Sequence, residues 1–119
     1  MTTEFATAFA EEWIKAWNSH DLEAILSHYS DDFSIESPLA FKRFPETGGT
    51  VIGKENVRNY WAWGLENNAS LNFELLDLLI GVHSLTIYYI NTASNRKAVE
   101  VMSFNSEMKV NKAIVNYSE

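Results

Sequence analysis

The sequence contains no cysteine. Disulfide bonds, thiolate-bound metals and cysteine nucleophiles are therefore excluded. It also lacks a run of about 18 apolar residues, the length that a transmembrane helix requires. The opening residues carry acidic rather than basic side chains ahead of any apolar segment, unlike a secretion signal. We therefore expect a cytoplasmic protein with no membrane partner.

Basic residues are scarce. Nine Lys and Arg stand against 16 Asp and Glu, which gives a formal net charge of −7. Such a chain repels the phosphate backbone of nucleic acids, and its basic residues are scattered, so we expect no nucleic-acid partner. No two histidines share metal-ligand spacing with a carboxylate. We expect neither a metal site nor a cofactor.

Hydrophobic residues, by contrast, make up 46% of the 119 residues, and aromatic residues 13%. This length and composition predict one domain, residues 1–119, with a substantial core. Apolar residues recur at helical spacing in three segments, residues 3–18, 22–29 and 53–67. Each of these segments is therefore predicted to be a helix.

Strand-like alternation marks the rest of the chain. A strand is predicted at residues 33–37, followed by a long loop over residues 39–53. Four further strands, separated by short polar breaks, are predicted at residues 71–81, 82–92, 96–105 and 109–118. Helices followed by a meander of strands indicate an α+β fold, with the helices on one face of a curved sheet.

Four segments, in this order, carry a family resemblance: "WIKAWNSHDLEAILSHYSDDFSIESP", "GKENVRNYW", "VEVMSFNSEMKV" and "KAIVNYS". The sequence resembles the nuclear transport factor 2-like superfamily, and within it the SnoaL-like and ketosteroid-isomerase-like proteins. The resemblance implies a cone-shaped α+β barrel of the cystatin-like kind, with three N-terminal helices on a curved mixed or antiparallel sheet. It also implies an apolar pocket inside the cone and a homodimer formed through the sheet.

The same resemblance assigns positions to a known site. Ketosteroid-isomerase-like proteins use an Asp base at the end of the first strand, two helical tyrosines and a protonated strand acid. In this sequence Ser37 occupies the position of the base and Glu100 that of the strand acid, while Trp13 and Trp61 replace the tyrosines. A serine at its ordinary pKa cannot act as the base, so the usual isomerase reaction is not expected.

Glu100 is the leading catalytic candidate. In the segment "AVEVMSF" it alternates with Ala98 and Met102, which are typical core residues. Burial would raise the pKa of this carboxyl above its usual value of about 4.3 and suit it to acid–base chemistry near neutral pH. The other register, with Val99 and Val101 facing the core and Glu100 in water, remains open.

His83 is a second catalytic candidate. It starts a predicted strand, on which it shares a face with Leu85, Ile87 and Tyr89, and an unperturbed imidazole titrates near neutral pH. A surface histidine is the simpler interpretation. Glu36 lies beside Ser37 and is predicted to face solvent. A different arrangement, resembling the Asp-Arg-Asp sites of epoxide hydrolases in the superfamily, would use Asp77, Arg96 and Glu100. Exposed strand charges are the preferred interpretation of that set.

Aromatic residues dominate the predicted pocket wall and favour a small apolar ligand. The predicted ligand-binding residues are Trp13, Trp17, Phe33, Ser37, Tyr60, Trp61 and Met102. Three functions remain open. They are an isomerase-, cyclase- or hydratase-type enzyme acting on a compact apolar or carbonyl compound, a non-catalytic binder of an apolar ligand, and a dimeric protein-interaction module.

Overall fold

A computed structural model describes residues 1–119. The chain begins with helix α1 (Thr3–Asn18), which starts where the Thr2 side chain accepts a hydrogen bond from the backbone N–H of Phe5 at 3.1 Å. Its apolar stripe buries Phe9, Trp13 and Trp17 against the sheet side of the molecule. Helix α2 (Leu22–Leu26) is short and is capped by Asp21.

The remaining elements form a helix-covered sheet. They are β1 (Tyr29–Glu36), α3 (Pro38–Arg43), a 3-10 turn (Pro45–Thr47), β2 (Thr50–Ile52), α4 (Lys54–Glu66), β3 (Phe73–Ile80), β4 (Ser84–Asn91), β5 (Arg96–Phe104) and β6 (Val110–Tyr117). The six strands lie in the order β2-β1-β6-β5-β4-β3. Only β1 and β6 pair in parallel, so the sheet is mixed. The predicted α+β class and the meander of four strands are confirmed.

The segment predicted as a loop over residues 39–53 is instead largely ordered into α3, the 3-10 turn and β2. The prediction missed the helix start at Ser37, whose hydroxyl accepts a hydrogen bond from the backbone N–H of Leu39 at 3.2 Å. Pro38 occupies the first helical position, where its missing N–H costs nothing. The first strand also begins earlier than predicted, at Tyr29, because α2 ends at Leu26.

The core lies between the helices and the inner face of the sheet. In β5 the buried side chains are Ala98, Glu100, Met102 and Phe104, and the residues between them are more exposed. This alternation fixes the register left open by the sequence and turns Glu100 inward. No helix is long and apolar enough to span a membrane.

Large apolar side chains are, by contrast, exposed along the edge strand β3, in the turn that follows it and on β5. They are Leu75, Leu76, Leu79, Ile80, Val82 and Val101. Isolated exposed apolar residues are common, but a group on one strand is typical of an interaction surface.

Candidate active site

A cavity of about 490 Å³ lies between the helices and the inner face of the sheet. Cavities of this size hold small organic ligands. Its wall is mainly apolar and aromatic; the helical contributions are Trp17, Leu39, Lys42, Arg43, Tyr60, Trp61, Trp63 and Gly64, and the strand contributions are Ile35, Phe73, Tyr89, Glu100, Val115 and Tyr117. Ser37, Asn67, Asn68 and Leu71 complete the lining from the connections.

Glu100 is the one carboxylic acid in the cavity wall. Its side chain is 4% exposed, and its Oε2 accepts a hydrogen bond from the Tyr89 hydroxyl at 2.8 Å. Burial raises the pKa of Glu100 from its ordinary value of 4.5 to about 7, and the Tyr89 hydrogen bond limits the rise. The carboxyl can therefore either donate or accept a proton at neutral pH.

Three tyrosine hydroxyls accompany this carboxyl in the cavity wall. Burial raises the pKa of Tyr89, Tyr60 and Tyr117 above the ordinary value for a phenol, and the negative charge of Glu100 raises each further. For Tyr60 and Tyr117 the neighbouring Ser37 hydroxyl acts in the opposite direction. All three tyrosines stay protonated at neutral pH. The hydroxyl of Tyr89 donates to Glu100, whereas those of Tyr60 and Tyr117 can donate hydrogen bonds to a ligand.

Ser37 is 3% exposed and combines two roles. Its hydroxyl caps α3, and the residue also lines the cavity between β1 and that helix. No ionisable base forms a hydrogen bond with it that would activate it as a nucleophile. The serine therefore stabilises the start of α3 and adds a polar side chain to the cavity wall.

Trp17 supplies an unused hydrogen-bond donor. Its ring packs at 5.2 Å from Trp61 and 5.5 Å from Phe73, measured between ring centroids. The indole Nε1 is buried and has no hydrogen-bond partner. An unpaired buried donor is costly, so Trp17 is the lining residue of α1 whose polar atom is left for a partner outside the chain.

The structure brings together five of the predicted site residues: Glu100, Trp17, Ser37, Tyr60 and Trp61 all line the cavity. Trp13, Phe33 and Met102 do not line it, because each is fully buried in the core behind the wall. Trp13 instead donates its Nε1 hydrogen bond to the Tyr29 hydroxyl at 2.9 Å. These three residues support the wall rather than form it.

His83 lies outside the site. It is exposed in the turn between β3 and β4 and does not line the cavity. The strand alternation that placed it on the same face as Tyr89 fails because β4 begins only at Ser84. The structure therefore gives no support to His83 as the missing base.

The structure does not bring together Asp77, Arg96 and Glu100 either, which were the charged residues of the alternative, epoxide-hydrolase-like arrangement. Asp77 is exposed, and its carboxylate accepts a hydrogen bond from the adjacent backbone N–H of Leu78. Arg96 donates its Nε hydrogen bond to the Ser118 carbonyl at 2.8 Å and stacks on Tyr117. Glu36 is exposed, as predicted. No group of three or more His, Asp or Glu side chains is arranged to hold a metal ion.

Thirteen of the 18 lining residues were not among the predicted site residues, and four of these carry a hydroxyl or a positive charge that could contact a ligand: Tyr89, Tyr117, Lys42 and Arg43. Tyr89 and Tyr117 could have been found from strand alternation, since Tyr89 shares its face with the buried Leu85 and Ile87. Lys42 and Arg43 at the end of α3 were hidden by the loop prediction. The Ser-Pro pair that starts α3 is the sequence signal that would have placed them.

The sheet and the helices that close it define the class: an α+β cone with a cavity at its centre, the nuclear transport factor 2-like fold. The family profile described as the SnoaL-like domain matches residues 10–106. The chain belongs to the SnoaL-like family. Comparison with curated proteins finds no match.

Solved structures agree with this assignment. A SnoaL-like protein of unknown function from Burkholderia thailandensis is 42% identical, with 100% of this chain and 99% of that one covered and a TM-score of 0.92. A protein with a cystatin-like fold from Methylobium petroleophilum is 12% identical over 100% and 79% of the two chains, with a TM-score of 0.76. A protein from Agrobacterium tumefaciens, provisionally assigned as an isomerase of the SnoaL-like family, is 13% identical over 96% and 97%, with a TM-score of 0.74. At such low identities the last two show the fold alone.

Proposed function

We propose that the protein is an acid–base enzyme that binds a compact, largely apolar carbonyl compound in its cavity, with Glu100 as the proton-transfer group. The observation that carries this proposal is the single buried carboxyl in an otherwise aromatic wall, held by the Tyr89 hydroxyl. A carboxyl with a pKa of about 7 is matched to proton transfer at neutral pH. The resemblance to an isomerase of the family is in keeping with it.

The proposed step is proton transfer at a carbon next to the carbonyl group. The ionised Glu100 takes the proton, the C–H electron pair forms the carbon–carbon double bond of an enolate, and the negative charge moves to the carbonyl oxygen. Donors in the wall, among them the hydroxyls of Tyr60 and Tyr117, can then stabilise that oxygen. When the carbonyl compound carries a β,γ double bond, the enolate is a conjugated dienolate; return of the proton from Glu100 to its γ-carbon moves the double bond into conjugation with the carbonyl group and regenerates the carboxylate.

Proton exchange tests this proposal without knowledge of the natural substrate. The protein is incubated in deuterated buffer with a panel of cyclic ketones and enones, and the loss of α-proton signals is followed by NMR. We expect exchange above the buffer rate with the wild type and none above it with Glu100→Gln, which keeps the shape of the side chain. Equal exchange rates for the two proteins would remove Glu100 from the proposal.

A second candidate is a non-catalytic binder of an apolar ligand. It is favoured by the side chains at the positions of the family base and tyrosines, namely Ser37, Trp13 and Trp61. Native mass spectrometry of freshly purified protein would then show a retained small molecule, and no compound in the panel would exchange. The open cavity counts against a pure interaction module, which would be better served by a filled core.

We also propose a cytoplasmic homodimer formed through the outer face of the sheet. The apolar side chains exposed on that face include Leu79 and Val101, which both lie opposite Thr86 and have exposures of 55% and 36%. Burying such a surface against a second copy removes apolar area from water. The absence of cysteine is in keeping with a reducing compartment.

A further inference from the structure

The cavity differs in charge from the rest of the molecule. The chain has a formal net charge of −7, yet the charged side chains that line the cavity are Lys42, Arg43 and the single carboxyl of Glu100. The two cations are exposed at the mouth, while the carboxyl is buried inside. The mouth is therefore a local positive region on an acidic protein, and a negatively charged ligand group would be attracted there.

Neither cation is neutralised within the chain. The ion pairs of the structure involve only Lys54 and Arg58. The Arg43 guanidinium carbon lies 4.9 Å from the ring centroid of Phe44 and 5.1 Å from that of Trp63. Contact with two aromatic rings limits the freedom of the guanidinium and leaves its N–H donors available to an anion.

Trp63 continues this platform into the cavity wall. It is 38% exposed and lines the cavity with Lys42 and Arg43. A flat ligand could lie against the indole while its charged end meets the guanidinium. Farther inside, the wall becomes aromatic around Trp17, Tyr60 and Trp61. From the mouth to the interior, the cavity wall thus changes from cationic to aromatic, and the interior contains one carboxyl group.

We propose that the ligand of this cavity is an amphiphilic anion: a planar apolar body that enters the aromatic interior and a carboxylate or similar acidic group that stays at the mouth on Arg43 and Lys42. This inference rests on the proposed function of the cavity as a small-molecule site, and it adds the class of ligand. Arg43 is the specificity-determining residue, because a planar guanidinium can bind both oxygens of a carboxylate. Lys42 adds attraction as a point charge.

Matched pairs of probes test the inference. Biphenylcarboxylate and biphenylcarboxamide have the same shape and differ in charge, as do naphthoate and naphthamide. Isothermal titration calorimetry at low salt would measure each dissociation constant. We expect the carboxylate of each pair to bind the wild type at least about fivefold more tightly than the amide, because exposed ion pairs give modest attraction. Raising the salt to about 0.5 M should shrink that preference, since the screening length falls to a few ångströms.

Substitutions at Lys42 and Arg43 test whether these two residues cause the preference for the carboxylate over the amide. The double variant Lys42→Met/Arg43→Met should bind carboxylate and amide about equally, while its affinity for the amide stays within about twofold of the wild type. The control Lys15→Met/Lys112→Met also removes two positive charges, but from exposed positions outside the cavity wall. It should keep the preference for the carboxylate over the amide. Thermal unfolding of each variant would confirm that the fold is retained.

The outcomes separate this inference from the function on which it rests. Tight binding of both members of a pair, without preference, would overturn the anionic ligand and leave the cavity as a ligand site. A preference that persists in Lys42→Met/Arg43→Met, or disappears in the control variant, would equally overturn the assignment to the mouth. Failure of all four probes to bind the wild type would contradict both the inference and the small-molecule cavity.

Discussion

The Tyr89 hydroxyl donates a 2.8 Å hydrogen bond to Oε2 of Glu100 inside an aromatic cavity. The two residues lie on adjacent strands, where Glu100 is paired with Ile87 and Tyr89 with Ala98. Their side chains share the inner face of the sheet, so the contact crosses diagonally between neighbouring strands. The hydrogen bond favours the ionised form of the one carboxyl in the cavity wall.

Stability should fall as the buried carboxyl ionises. The pKa of Glu100 is raised from 4.5 to about 7 by folding, so the folded state binds more protons than the unfolded state between these values. The free energy of unfolding therefore decreases as pH rises from about 4.5 to about 7, by roughly 3 kcal/mol from this group. Urea denaturation of the wild type and Glu100→Gln across this range would show the loss only in the wild type. The exposed Glu36→Gln is the control and should retain it.

Removing the partner hydroxyl should raise the pKa of Glu100 further. The Tyr89 hydrogen bond favours the ionised carboxyl and opposes the effect of burial. In Tyr89→Phe the stability loss should therefore continue to a higher pH than in the wild type, which denaturation across the same pH series would detect. Tyr88→Phe, on the neighbouring position of β4, is the control. A midpoint that stays in place in Tyr89→Phe would show that the hydrogen bond does not influence ionisation.

Two tryptophans of α1 should respond differently to the same substitution. Trp13→Phe leaves the buried Tyr29 hydroxyl without the donor that it has at 2.9 Å, whereas the Nε1 of Trp17 has no partner to lose. We expect Trp13→Phe to lower the free energy of unfolding by about 1 kcal/mol more than Trp17→Phe. Chemical denaturation of both variants measures the difference. Equal losses would indicate that the Trp13 hydrogen bond adds no net stability.

The contribution of the Ser37 cap of α3 to the free energy of unfolding should be measurable as well. Ser37→Ala removes the hydroxyl that accepts from the Leu39 N–H and should lower the free energy of unfolding by about 1 kcal/mol. Ser37→Asn, which keeps a capping acceptor, should recover part of that loss. Denaturation of both variants gives the comparison. If alanine and asparagine were equally destabilising, the role of Ser37 would be packing rather than capping.

The proposed dimer predicts a light-scattering mass of two chains. Leu79→Arg places a charge near the end of the edge strand β3, on the outer face, and should shift the mass to one chain. Glu11→Gln, an exposed change on α1 that shifts the net charge by the same amount, serves as a control for the effect of charge alone. A wild-type mass of a single chain at protein concentrations on the order of 100 µM would contradict the proposal, since a stable dimer interface holds at such concentrations.

The sequence was most informative where a single periodicity ran through a long element. The helix over α1 and the four-strand meander follow directly from apolar spacing, and the family resemblance placed Glu100 in the wall. The sequence could not choose between the two registers of β5, because Val99 and Val101 offer an apolar face as good as that of Ala98 and Met102. The choice was made by the partners β4 and β6, whose pairing is a tertiary property.

The mouth of the cavity was harder to predict than its interior. The helix α3 has only six residues, too few to show an apolar period, so Lys42 and Arg43 were read as part of a loop. The placement of His83 on a strand face was wrong for a related reason. The apolar alternation was extended beyond Ser84, where β4 begins. Apolar spacing along α1 also cannot distinguish a residue buried behind the cavity wall from one that lines it. Trp13 is wholly buried, whereas Trp17 lines the cavity.

The ionisation of Glu100 is the most direct test of the account. The carboxyl carbon can be followed by carbon-13 NMR as a function of pH, with Glu100→Gln used to assign its signal. A midpoint of about 7 is expected, in the range where the proposed proton transfer operates. A midpoint near the ordinary value of 4.5 would contradict the proposed role of Glu100, because burial would then not raise the pKa of the carboxyl towards the neutral pH at which proton transfer is proposed.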